Sequence, residues 1–68
     1  MNYPVRWQPC VDTARSMVRI AKAADRPVWL DQIVDEILKG YPDYGLRPEH
    51  LREIVSEIVI QERWSLAA

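Results

Sequence analysis

Three positions, Pro27, Gly40 and Pro48, interrupt a chain whose apolar residues otherwise recur three and four apart, and this punctuation points to three short helices behind an opening segment. Val11, Ala14, Met17, Val18, Ala21 and Ala24 predict an amphipathic first helix over residues 10–25. Pro27 ends it, because the residue before a proline is pushed away from helical angles, and Asp25 and Arg26 form the exit. Asp31 reads as the N-cap of a second helix over residues 31–39 that buries Ile33, Val34, Ile37 and Leu38, with Gly40 taking a left-handed position at its end. The third helix is predicted over residues 48–63. Pro48 suits its first position, Glu49 suits the positive end of its dipole, and Leu51, Ile54, Val55, Ile58 and Val59 form its buried stripe.

The segments between the helices carry fewer signals. Residues 1–9 read as an ordered arm held in extended or turning conformations by Pro4 and Pro9, with Tyr3, Val5 and Trp7 alternating towards the core. Pro27 to Leu30 is too short for an independent strand but long enough for one β-bridge. The alternating tail Arg63, Trp64, Ser65, Leu66 suits pairing with Val28 and Trp29. Gly40, Pro42, Asp43 and Gly45 supply turn chemistry before the third helix, and Tyr41 and Tyr44 suit packing over that join.

The fold class expected is therefore mainly α, a single three-helix domain over residues 1–68 with at most a minimal two-stranded β element. At 68 residues, 49% hydrophobic and 28% charged, the chain has apolar content for one core and length for no second one. A lone cysteine, Cys10, closes no internal disulfide, and with the lone His50 it makes no conventional zinc site. Cys10 reads as a small core residue, His50 as an exposed helix residue, and Trp7, Trp29 and Trp64 as core rings. Ser16, Ser56 and Cys10 lack a recognisable base, and no glycine-rich phosphate loop or HExxH pattern occurs. The expectation is a protein that is not an enzyme, with no cofactor, metal or small-molecule substrate.

The longest strongly apolar run is Ile58 to Ile60, so no membrane span is expected. The opening MNYPVRWQPC has no signal-peptide pattern, and with the unpaired cysteine this suggests the cytoplasm.

The net charge of −1 hides a polarity. Residues 1–30 carry five basic against two acidic side chains, and residues 31–68 four against eight. Arg15, Arg19 and Lys22 share one face of the first helix, with Arg6 and Arg26 nearby in sequence. Glu49, Glu53 and Glu57 share one face of the third, with Arg52 the one basic residue close enough to relieve them. These stripes are either solvated faces or surfaces for a charged partner, including a second copy of the chain. Two apolar anchors accompany the acidic stripe: Ile60, which falls off the buried face, and Tyr44, expected to be exposed in the turn.

In the order helix, short PVWL segment, helix, turn, longer helix and strand-like tail, residues 11–66 resemble the winged helix-turn-helix superfamily. The resemblance implies either a DNA-binding regulator with its third helix in the major groove or a derived protein-interaction module. The tail is too short for a full two-stranded wing, and a third helix bearing Glu49, Glu53 and Glu57 is wrongly charged for DNA. The expected function is thus a regulatory or adaptor module that docks onto a protein, its own copy included, through Glu49, Glu53, Glu57, Ile60 and Tyr44. The alternative is a DNA-binding regulator contacting phosphates through Arg6, Arg15, Arg19, Lys22 and Arg26.

Overall fold

The computed structural model describes residues 3–67, and within them a mainly helical protein with three helices and no strand. Helix α1 spans Gln8–Ala23, α2 Leu30–Gly40 and α3 Pro48–Gln61.

The opening segment departs from its expected extended form. Val5–Trp7 is a turn of 3-10 helix, closed by a bond from the Trp7 amide to the Pro4 carbonyl (2.9 Å), and it runs directly into α1. Pro9 falls in the first turn of α1, where an amide has no intrahelical acceptor to lose and the ring's fixed φ already suits the helix. A proline read as a barrier thus helps to start the helix, two residues earlier than expected. Tyr3 and Trp7 pack against the core as anticipated, but the helical turn sends Val5 outward.

Helices α1 and α3 end alike. Beyond α1, Asp25 adopts φ 55, its amide bonds to the Lys22 carbonyl (3.0 Å), and the Arg26 amide reaches back to Ala21 (2.9 Å). Beyond α3, Arg63 adopts φ 53, its amide bonds to Ile60 (3.0 Å), and the Trp64 amide to Val59 (3.0 Å). Both are Schellman closures, and each ends its helix two residues before the expected boundary. Neither has the usual glycine at the left-handed position. Gly40, expected to take that conformation, is instead the last residue of α2.

A substitution pair follows. Arg63→Gly relieves a left-handed cost of roughly 1–2 kcal/mol while losing roughly 0.5–1 kcal/mol of glycine entropy, so a net gain of about 1 kcal/mol is expected. Gly40→Ala, whose added Cβ meets nothing within 4 Å, should gain a similar or smaller amount. Urea midpoints moving upward in both variants check this.

Helix α2 begins at Leu30 with Trp29 as its N-cap, still in extended backbone. Asp31 is therefore in the first turn and not the cap. Its carboxylate turns to Arg52 of α3, with Oδ1 3.2 Å from Nη2 and 3.3 Å from Nε.

One cluster of buried residues joins the three helices: Cys10, Val11, Ala14 and Val18 from α1, Ile33, Val34 and Ile37 from α2, Leu51, Ile54, Val55, Ile58 and Val59 from α3, and Val28 between α1 and α2. Helix α3 is the axis on which both other helices pack. It runs in the same general direction as α1, since Trp7 meets His50 near their starts and Arg19 meets Glu62 near their ends.

The tail returns alongside the PVWL segment through one parallel bridge, Val28 to Leu66. The Val28 amide donates to Ser65 (3.0 Å), and the Val28 carbonyl accepts from Ala67 (2.8 Å). The Trp64 indole fixes this return by donating Nε1 to the Arg26 carbonyl at 2.6 Å.

Candidate docking surfaces

With its apolar stripe turned inward, α3 presents the opposite face outward. There Glu49, Arg52, Glu53, Ser56, Glu57 and Ile60 border a shallow depression. Ile60 is 69% exposed, and elsewhere on the surface Val5, Ile20 and Trp29 are exposed to 88%, 68% and 58%. Arg52, the cation expected to relieve the glutamates, is paired with Asp31 instead. Among the described residues, Glu49, Glu53 and Glu57 are in no ion pair. The Tyr3 hydroxyl lies close enough to feel two of them. Burial pushes its pKa up, Glu57 and Glu53 push it further, and Arg15 opposes.

The basic stripe of α1 has an internal task. The Arg15 guanidinium donates to Gln61 Oε1 (3.3 Å), Arg19 makes a two-pronged contact with the Glu62 carboxylate (3.1 and 3.2 Å), and Lys22 Nζ donates to the Glu62 carbonyl (2.7 Å). Helix α3 has no basic residue in its own last turn, so α1 supplies the cations that complement the negative end of its dipole. The stripe thus clamps the ends of two parallel helices. Arg6 sits at the opposite end of α1, and Arg26 beyond its close, so the five cations do not form one surface.

The clamp has a pH signature. Hydrogen bonding from Arg19 holds the Glu62 carboxyl below its usual 4.5; desolvation opposes it, and the charges of Arg19, Lys22 and Arg15 add to the lowering. A carboxyl whose folded pKa is depressed contributes stability above its unfolded pKa and loses it as pH falls through the folded value. Glu62→Gln should therefore melt lower than the parent near neutrality, and the two melting temperatures should converge below the usual carboxylate range near 4.5. A constant gap across that range would contradict this assignment.

Several residues sit elsewhere than expected. Tyr44 is half-buried: its carbonyl accepts the Trp7 indole hydrogen (3.1 Å), and its ring meets Tyr41 edge-on at 5.2 Å. The turn folds back over the start of α1, so Tyr44 is a packing residue and no exposed anchor. Tyr41 is fixed there by a 2.7 Å bond between its hydroxyl and Thr13. His50, expected in solvent, is half-buried with its ring 5.3 Å from that of Trp7, and among the described residues its Nδ1 has no hydrogen-bond partner. Trp29, expected in the core, is 58% exposed. Val28 points inward, and the alternation of an extended segment turns the next side chain out.

The sequence reading missed Ile20, which is 68% exposed beside Trp29. The signal was available, because Ile20 lies off the apolar stripe of its helix in the same way as Ile60. Cys10 is fully buried, and that burial pushes its thiol pKa up. Among the described residues no cluster of three or more histidines, cysteines or carboxylates is placed to hold a metal, and no helix is long and apolar enough to cross a membrane. No family model, curated protein or solved structure matches the chain.

Proposed function

We propose that this chain is a non-catalytic regulatory or adaptor module of winged-helix type that docks onto a protein through the outer face of α3. The observation that carries the reading is the exposed Ile60 on the same face as three glutamates that, among the described residues, have no ion-pair partner. Like charges four apart on a helix cost about 0.2–0.5 kcal/mol per pair, so the glutamates do nothing for α3 itself. An exposed apolar side chain flanked by carboxylates supplies both contact area and orientation to an incoming partner. The order helix, bridge segment, helix, helix, returning bridge supports the winged-helix type.

DNA binding through Arg6, Arg15, Arg19, Lys22 and Arg26 ranks second. Three of these five already hold Gln61 and Glu62, and a groove-seated α3 would bring glutamates to the phosphates. The test is affinity capture with the parent protein and with a Glu49→Lys, Glu53→Lys, Glu57→Lys variant, paired with anisotropy titration of duplex DNA in low salt. The variant should lose the partner held by the parent, and the parent should show no salt-sensitive DNA binding. An unchanged partner set and oligomeric state in the variant would remove the acidic face from the account. DNA affinity falling with log salt at a slope of about −0.9 per contact would promote the second reading.

A further inference from the structure

A second exposed apolar surface lies between α1 and the start of α2. It is a groove of about 440 Å³, a size within the roughly 300–1,000 Å³ range of sites that enclose small groups. Met17 and Ile20 of α1, with Ala24 just beyond its end, form one wall, and Pro27, Trp29 and Ile33 the other. Two of these, Ile20 and Trp29, are more than half exposed, so the groove is open and flanked by unburied apolar surface. Arg26 is the one charged residue lining it, and among the described residues Arg26 is in no ion pair.

The chemistry that fits is an apolar ridge accompanied by carboxylates. The chain itself presents such a ridge: Ile60 with Glu57 and Glu53 one and two turns back on the outer face of α3. The two surfaces face different ways. The groove lies between α1 and α2, which pack on the inward face of α3, while Ile60 and the glutamates occupy its outward face. One molecule can therefore offer both at once without either blocking the other.

We infer that the groove between α1 and α2 receives the Ile60 ridge of a second copy of this chain, with Arg26 meeting Glu57 and Glu53. This rests on the reading of α3's outer face as a docking surface and names its partner. The contact joins unlike surfaces, so it repeats head to tail and closes into a ring or continues as a chain. A two-fold dimer formed by one self-complementary patch is a different arrangement.

Sedimentation of the parent, of Trp29→Glu, of Ile60→Lys and of an equimolar mixture of the two variants tests this. Trp29→Glu spoils the groove and keeps the ridge; Ile60→Lys spoils the ridge and keeps the groove. Both positions are exposed, and helical circular dichroism confirms folding, with Ile20→Lys as a second groove variant. The mass of the parent should climb past that of a dimer as concentration rises. Each variant alone should stay monomeric, its self-affinity reduced at least about tenfold, as for loss of a central anchor. The mixture should form a one-to-one dimer and stop there, because each copy retains one working surface.

A parent that stays monomeric, a mixture that stays monomeric, or a single variant that still pairs with itself would each overturn the inference. The first of these, combined with capture of another protein that depends on Glu49, Glu53 and Glu57, would sink self-docking alone. Capture unaffected by those glutamates would sink the face itself.

Discussion

Ile54→Ala is expected to cost about 2–5 kcal/mol, and Ile37→Ala a similar amount, bringing either variant close to its unfolding midpoint in dilute buffer. Both side chains are 1% exposed, and both belong to the one cluster that joins all three helices. Deleting methyl and methylene groups there removes transfer free energy and leaves a cavity. Ile54 lies on the inward face of α3, against which α1 and α2 both pack, so neither neighbour can collapse into the space without losing contacts elsewhere. A chain of this length has roughly 3–10 kcal/mol of stability at typical values per residue, and its lone cysteine closes no internal disulfide to supplement it. Ile60→Ala is the control. It removes an exposed side chain from the same helix and should shift stability by no more than about 0.5 kcal/mol. Urea titration of the three variants decides the matter, and a loss below about 1 kcal/mol at Ile54 would contradict the packing described.

Trp64→Ala is expected to cost about 2–3 kcal/mol, less than a fully buried tryptophan because the ring is only half covered. Three features depend on this residue: ring packing against the core, the indole bond to the Arg26 carbonyl, and the approach that sets Leu66 beside Val28. Trp64→Phe retains much of the first and removes the second, so it should lose about 0.5–1.5 kcal/mol, the usual net value of one hydrogen bond. Hydrogen exchange gives an independent reading. The Val28 and Ala67 amides, which form the bridge, should lose protection in Trp64→Ala well before the α3 amides do. Equal stability of the alanine and phenylalanine variants would mean that the ring contributes nothing beyond its hydrogen bond.

The helices and their buried faces were legible because periodicity reports burial directly. Val11, Ala14 and Val18, Ile33, Val34 and Ile37, and all five stripe residues of α3 are buried as their spacing requires. The single bridge at Val28 was legible too, since a segment of four residues between helices has length for nothing more. Boundaries were not. Pro9 is compatible with both an extended arm and a first helical turn, and the choice was made by Trp7 docking beside Tyr44 and His50, a contact invisible in one dimension. Gly40 offered left-handed freedom that the chain did not use there. The left-handed positions at helix ends went to Asp25 and Arg63, where Arg26 and Trp64 had to reverse direction to bring the PVWL segment and the tail together.

The surfaces were half legible. Ile60 was identifiable because it falls off its stripe. The groove beside Trp29 was not, because its walls come from two helices and the segment that joins them, whose mutual placement no local pattern specifies. The basic stripe was visible, but its attachment to Gln61 and Glu62 depended on α1 and α3 running in the same direction.

The measurement that tests the account most directly is a dilution series of nitrogen–proton correlation spectra on the parent protein. Docking through the outer face of α3 into the groove of another copy predicts that concentration-dependent shifts gather in two separate patches. One should hold Glu53, Glu57 and Ile60, and the other Ile20, Arg26 and Trp29. Shifts confined to one patch, centred on Arg15, Arg19 and Lys22, or absent up to millimolar concentration would contradict it.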